Sequence, residues 1–207
     1  MDALIRRRMM MGIVSEPTPP TPLPYDAEVE YLENDGTQFI DTGIIINDTD
    51  VINCECMFLS RSADNFLFGS GSTSSSGGLW VELYNNNTWY VRFGSSTSAN
   101  TTAVANINTL KNIVLKKNNF SVNGTRRLQP NYTSMPQITI KLFANNTNPA
   151  SHVRIYSFSI ENGQGNKIID FIPVRVGQVG YMYNRVSGSL FANLGTGDFI
   201  LGNDKNI

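Results

Sequence analysis

Five residues on one stretch of chain carry the side chains most suited to gripping a ligand: Trp80, Glu82, Tyr84, Tyr90 and Arg92. Aromatic rings can stack on a sugar, and a carboxylate and a guanidinium can hydrogen-bond its hydroxyls. The same types are enriched in subunit interfaces, so carbohydrate binding and a protein contact are both open readings. Other candidates are thinner. Glu28 and Glu30 form an i, i+2 carboxylate pair, the spacing with which one strand could present the two groups of a retaining glycosidase, about 5–5.5 Å apart. They sit in a segment that reads as an outer edge, and Glu82 stands alone on its strand, so catalysis is not expected. His152 is the single histidine and reads as a surface residue, not a member of a triad.

Metal and redox chemistry are equally poorly supplied. Cys54 and Cys56 are the only cysteines. Two apart on a strand, they share a face with Cα atoms about 6.5–7 Å apart, at the limit of disulfide geometry. They read as buried free thiols, and two thiols with one remote histidine make no zinc site. Asp48, Asp50 and Asp64 with scattered asparagines do not assemble a calcium ligand set. No metal and no cofactor is expected. Asn-x-Ser/Thr triplets at Asn86, Asn100, Asn119, Asn123, Asn131 and Asn145 follow from the abundance of Asn and Thr, and no glycosylation is expected.

The elements that must position these residues are strands. The 207 residues are 41% hydrophobic, enough for a substantial core. Sixteen Lys and Arg against seventeen Asp and Glu leave a net charge of -1, which argues against nucleic acid as a partner. No apolar run approaches the roughly 20 residues that cross a bilayer, and no membrane association is expected. Met9 to Val14 is shorter than the roughly 7–15 residues of a signal-peptide core. Residues 1–24 form a leader: Leu4, Ile5, Arg6, Arg7, Arg8, Met9, Met10 and Met11, then the proline-rich 17–24, PTPPTPLP. Three arginines bind phosphate weakly and six apolar residues bind a membrane weakly, whereas a Met-rich segment adapts to a protein groove. The prolines act as a spacer of about 3 Å per residue.

Residues 25–207 are rich in Asn, Ser, Thr and Gly, and short alternating runs recur between turn clusters, the pattern of an all-β sandwich. The clearest run is LWVEL-YNNN-TWYVRF. Pairing Leu79 with Phe93, Val81 with Val91 and Leu83 with Trp89 gives one wholly apolar face. Trp80, Glu82, Tyr84, Tyr90 and Arg92 then point the other way, to solvent or onto a partner. Ile52, Cys54, Cys56 and Phe58 form a second buried face, and Ile138, Ile140 and Leu142 a third. Tight turns are expected at Asn118-Asn119, Asn123-Gly124 and Gly163–Gly165. The run from Ser70 to Gly78 is a loop that lacks the lysine of a phosphate cradle.

Two stretches, EVEYLENDGTQFIDTGI (Glu28 to Ile44) and RIYSFSIENGQGNKIIDFIPVRVGQVGYMYNRVSGSLFANLGTGDFILG (Arg154 to Gly202), resemble the two ends of LamG-like, concanavalin A-like jelly-roll domains. The resemblance implies a two-sheet antiparallel sandwich whose first and last strands lie side by side. It also implies packing and turn roles for Tyr31, Gly36, Phe39, Asp41 and Gly43 in the opening, and for Tyr156, Phe158, Asp170, Phe171, Pro173, Gly180, Gly195, Gly197 and Gly202 in the closing stretch. Asn184 stands where the family pattern often has aspartate.

A short Arg/Met leader, a proline spacer and one such sandwich together resemble head-fibre and capsid-decoration proteins of Bacteroides phages. That resemblance implies a virion structural protein, made in the host cytoplasm, that is not an enzyme. It would attach to other virion proteins through residues 1–24, form a homo-oligomer such as a trimer, and offer the sandwich to host-surface or mucin glycans. A bacterial surface or secreted carbohydrate-binding module is the competing expectation.

Overall fold

The computed structural model describes residues 22–60, 65–71, 78–84, 88–94, 106–130, 137–145 and 152–206, and the backbone of 99–101 and 148–149. The leader residues Leu4 to Met11, and Asp64, Asn86 and Asn131, lie outside the described residues.

Alternation of apolar and polar side chains produces strands throughout, and no helix occurs among the described residues. In chain order they are β1 (Ala27–Glu28), β2 (Leu32–Glu33), β3 (Ile40–Asp41), β4 (Val51–Phe58), β5 (Asn65–Ser70), β6 (Gly78–Leu83) and β7 (Trp89–Gly94). Next come β8 (Ala99–Thr101), β9 (Lys111–Lys116), β10 (Asn119–Val122), β11 (Thr125–Leu128), β12 (Lys141–Leu142), β13 (Ala144–Asn145) and β14 (Asn148–Pro149). The chain closes with β15 (Val153–Glu161), β16 (Lys167–Val176), β17 (Val179–Asn184), β18 (Ser189–Phe191) and β19 (Ile200–Leu201).

These strands form an all-β two-sheet antiparallel sandwich. The large sheet runs β11-β10-β9-β4-β15-β16-β17-β18, with β1 on β16 and β2 between β15 and β19. The second sheet runs β3-β12-β5-β6-β7-β8, and β13 pairs with β14. The opening and closing segments lie side by side. β2 pairs with β19, Val29 bridges Asp204, Glu30 N donates to Asn203 O at 2.9 Å, and Lys205 N donates to Glu28 O at 2.8 Å. Arg175 clamps Asp204 through two of its guanidinium nitrogens, Nε–Oδ1 at 2.7 Å and Nη2–Oδ2 at 2.6 Å. Gly180 is required by close approach, because a Cβ there would stand 2.7 Å from both Leu32 Cδ2 and Leu201 Cδ2.

The sequence-derived register of the β6–β7 hairpin is the observed one: Leu79 faces Phe93, Trp80 faces Arg92, Val81 faces Val91, Glu82 faces Tyr90 and Leu83 faces Trp89. β4 buries Ile52, Cys54, Cys56 and Phe58, as its alternation predicts. The turns that join β9 to β10 and β10 to β11 use Asn118 (φ 59°), Asn123 (φ 51°) and Gly124 (φ 74°). Asparagine and glycine tolerate the left-handed backbone that a two-residue hairpin needs.

One expected face is not formed. Ile140 and Leu142 are buried but Ile138 is 38% exposed, because the regular strand is only Lys141–Leu142 and nothing holds Ile138 in register with it. One residue later Phe143 takes a left-handed backbone (φ 63°), an outlier for a bulky side chain that costs about 1–3 kcal/mol. The kink sends Phe143 into the core beside its neighbour Leu142, where its ring lies 5.0 Å from that of Phe199.

Cys54 and Cys56 are free and buried. Burial pushes the Cys54 thiol well above its ordinary pKa, and the adjacent Cys56 adds to the effect. Since the thiolate is the reactive form, Ellman's reagent is expected to label neither cysteine in the native protein at pH 8 and both after denaturation in guanidinium. Rapid native labelling would show that this face of β4 is open.

Candidate functional site

The five residues singled out from the sequence lie on the outer face of the second sheet. Their direction is as expected; their exposure is not. Trp80 is 2%, Glu82 3% and Arg92 7% exposed, Tyr90 is half-buried, and Tyr84 alone is open at 39%. Trp80, Glu82 and Arg92 are therefore covered within their own chain, while Tyr84 and Tyr90 keep exposed surface. Part of the cover is β13, which follows the Phe143 kink: a Cβ on Gly69 of β5 would meet Trp80 Cβ at 3.0 Å and Asn145 Oδ1 at 3.1 Å.

The rings form a ladder along this face. Tyr84 and Tyr90 centroids are 6.0 Å apart, Tyr90 and Trp80 6.5 Å, and Arg92 Cζ lies 4.9 Å from the Trp80 centroid. The guanidinium is held there by an Nε bond to Gly94 O at 3.2 Å, a cation–π contact in a desolvated setting. The indole lies down over Gly78, where a Cβ would overlap the ring and stand 2.9 Å from its Cε3. The Trp80 indole N–H and Asn145 Oδ1 are buried without a hydrogen-bond partner among the described residues. The register row continues outward through Gly69 and Lys141 to Asp41. There Asp41 accepts bonds from Gly43 N at 2.9 Å, Thr139 Oγ1 at 2.9 Å and Lys141 Nζ at 3.0 Å.

A second surface, which sequence reasoning did not single out, lies on the outer face of the large sheet. β15 carries a bulge: Ile155 pairs with Cys56 but Ser157, not Tyr156, pairs with Glu55. The extra residue lets both Tyr156 and Ser157 face outward while Ile155 and Phe158 stay in the core. Two polar rows then run across the sheet, Asn112–Glu55–Ser157 and Val114–Asn53–Ser159–Asp170. They line a cavity of about 220 Å³ with Lys167 and Arg185 at one side. Asp170 is committed to these two cations, Lys167 Nζ at 3.0 Å and Arg185 Nη2 at 2.8 Å.

The cluster nearest this cavity along β15 is aromatic and ionic. Tyr156 meets Tyr31 edge-on with centroids 5.3 Å apart, Arg154 Cζ lies 4.2 Å from the Tyr31 centroid, and Arg154 Nε donates to Glu33 Oε2 at 2.6 Å. Burial raises the Tyr156 phenol above its ordinary pKa, with Tyr31 and Glu30 adding to it against the pull of Arg154. The signal for this face was present in the sequence. Apolar residues at 153, 155, 158 and 160 break the two-residue period once, between 155 and 158, where the bulge falls.

The remaining candidates are occupied or solitary. Glu28 accepts from the Tyr25 hydroxyl at 3.4 Å and Glu30 from Asn203 Nδ2 at 3.2 Å. His152 is exposed at the entry to β15. Asp50 closes its own turn by accepting from Asn47 N at 2.9 Å, and Asp48 pairs with Lys117 at 2.7 Å. No group of three or more His, Cys, Asp or Glu able to hold a metal occurs among the described residues. Asn184 Oδ1 accepts from Asp170 N and Val186 N, each at 3.1 Å, so it serves the turn after β17.

Two outcomes test this geometry. Gly78→Ala is expected to displace the Trp80 ring and destabilise the protein by about 1–3 kcal/mol, read by denaturant melts together with a change in tryptophan emission. An unchanged midpoint and spectrum would mean that the indole does not lie on Gly78. For Asp41, burial alone would raise the pKa, but the bonds from Gly43, Thr139 and Lys141 outweigh it and hold the carboxyl below its ordinary value. A depressed folded-state pKa gives stability that is present above the unfolded value near 4 and is lost as pH falls through the folded one. Asp41→Asn should cost about 1–2 kcal/mol at pH 7, and the gap to wild type should close below about pH 4; a gap independent of pH would rule the ionic contribution out.

No family model matches the chain, and no curated protein matches it. Among solved structures, the chain is similar to Trypanosoma rangeli sialidase, at 12% identity and a TM-score of 0.39, and to the same sialidase in complex with the inhibitor DANA, at 14% identity and a TM-score of 0.39. Each alignment covers 54% of this chain and 20% of the sialidase, so the chain spans about a fifth of the length of the structures it matches.

Proposed function

We propose that this protein is a bacteriophage virion structural protein of the head-fibre or capsid-decoration kind, anchored to the particle through Leu4, Ile5, Arg6, Arg7, Arg8, Met9, Met10 and Met11. The proline-rich stretch holds the sandwich clear of the particle, and the sandwich presents its outer surface to glycans without catalysing a reaction. The observation that carries this reading is where the chain leaves the sandwich. Pro22, Leu23 and Pro24 are exposed, Leu23 to 57%. The sandwich takes hold from Tyr25, whose ring meets that of Tyr183 edge-on at 4.9 Å, and Asp26, whose N–H donates to Arg175 O at 2.9 Å and whose carboxylate accepts from Gly177 N at 2.7 Å. A spacer that begins at the sandwich margin suits an anchor meant for another body.

A non-catalytic role fits the carboxylates. Glu33 and Asp170 are ion-paired and Glu28 and Glu30 are hydrogen-bonded, so no free pair of acid and nucleophile is at hand among them. The second reading, a bacterial surface or secreted carbohydrate-binding module, is favoured by the polar cavity on the large sheet, which either kind of protein could use.

Deletion of residues 1–24 separates the two. The truncated chain is expected to melt within a few degrees of the full-length protein yet to be absent from purified particles in a complementation assay. Incorporation of the truncated protein at wild-type levels would overturn the anchor.

A further inference from the structure

Among the described residues, the polar face of the large sheet carries side chains whose hydrogen-bonding groups are not spent on one another. Asp41, Glu33, Asn34, Asp170 and Asn184 are all tied to protein partners. The side chains of Asn53, Glu55, Asn112, Ser157 and Ser159 make no hydrogen bond with any described residue, although all five line the same cavity. Four are half-buried and Asn112 is exposed. Half-buried polar groups without protein partners are stable only where water or a ligand can serve them. Here four such groups from β4 and β15, with exposed Asn112 of the adjacent β9, converge on one space.

We infer that this cavity is a glycan-recognition site that takes one or two rings of a neutral oligosaccharide; the inference rests on the glycan-presenting role proposed above and locates it. Charge selects the ligand class. Glu55 and Asp170 contribute two negative charges and Lys167 and Arg185 two positive ones, so the cavity has no net charge to favour a phosphate, a sulfated or sialylated sugar, or a basic peptide. The lining chemistry is that of sugar hydroxyls. Asparagine amides and serine hydroxyls both donate and accept, and the Glu55 carboxylate can accept from two vicinal hydroxyls at once.

Size agrees. About 220 Å³ lies below the roughly 300–1,000 Å³ of pockets for drug-sized ligands, which suits a short saccharide segment. Aromatic surface adjoins it, since Tyr156 precedes Ser157 on the same outward-facing bulge and is half-buried against Tyr31. The covered Trp80 lacks that accessibility at 2% exposure, so the role moves from the second sheet to the large one.

The test uses the full chain on a glycan array carrying neutral, sialylated and sulfated oligosaccharides, with three variants whose melting is checked first. The expected result is retention on a subset of neutral glycans, weakened about tenfold or more in Asn53→Ala and in Glu55→Gln, and unchanged in Tyr84→Ala on the opposite sheet. Equal retention by the groove variants and loss in Tyr84→Ala would overturn the groove while leaving glycan adhesion intact. Preference for sialylated or sulfated glycans would overturn the ligand class. Failure of the wild type to bind any glycan would overturn both the groove and the glycan part of the proposed function, and would leave the anchor to the deletion experiment.

Discussion

Trp89 on β7 reaches across the sandwich to Phe58 on β4 and Phe120 on β10, with centroids 5.6 and 5.4 Å away, and Phe68 on β5 reaches Phe158 on β15 at 5.5 Å. These edge-on and tilted contacts between rings from opposite sheets are worth about 0.5–1.5 kcal/mol each beyond the area they bury. Their geometric effect is larger. Each ring fixes which side of its strand faces inward, and the strict alternation of a strand then fixes every outward residue on the same element. The outer faces of both sheets are consequences of this inner registration.

The two outer faces have been resolved in opposite ways. On the second sheet the Phe143 kink redirects the chain so that β13 turns back over β5, and Trp80 lies over Gly78 and under the Arg92 guanidinium. Large side chains beside small ones make a dry layer, and polar atoms are caught in it, Trp80 Nε1 and Asn145 Oδ1 among them, without a partner among the described residues. On the large sheet the cavity is lined from β4, β9 and β15 by outward Asn53, Glu55, Asn112, Ser157 and Ser159, with Val114 the apolar member of that outward set. Arg154 spends its guanidinium on Glu33 of the neighbouring strand, whereas the opposed pairs Asn53–Ser159 and Glu55–Ser157 make no side-chain hydrogen bond with each other. The bulge at Tyr156 adds twist at the centre of that sheet, which is how a nearly flat surface acquires a hollow.

How much of this was legible in the sequence follows from range. The β6–β7 register was readable because two neighbouring strands alternate independently and agree on a single pairing, Leu79 with Phe93 through Leu83 with Trp89. The buried face of β4 and the Asn118 and Asn123-Gly124 turns are equally local. The burial of Trp80, Glu82 and Arg92 was not readable, because alternation reports only that a residue leaves the core, not whether a distant segment such as Asn145 returns to cover it. Ile138 was misplaced for the complementary reason: apolar spacing continues through it, but no strand partner pairs with it. The large-sheet cavity needed a shift of one residue in β15 that pairs Ser157 with Glu55, a fact about two strands a hundred residues apart.

In the proposed role the cavity and the leader would depend on one another energetically. Net contributions of about 0.5–1.5 kcal/mol per hydrogen bond from five side chains, set against an association cost of at least about 4 kcal/mol, leave a single cavity of this kind with weak affinity. Enlarging the site would require long aromatic side chains on β4, β9 and β15, and on the second sheet such residues are the ones that closed over themselves. An alternative that leaves the fold untouched is to gather many copies on one body, where each further contact is made at the effective concentration set by the spacer. Residues 17–24 hold five prolines in eight positions, and polyproline geometry spans about 3 Å per residue with little slack. In the proposed role such a spacer would keep the domain at a set distance from its anchor and limit the volume it explores. Under that constraint a shallow, neutral, unspent surface is sufficient, and a deep pocket would add nothing that copy number does not already supply.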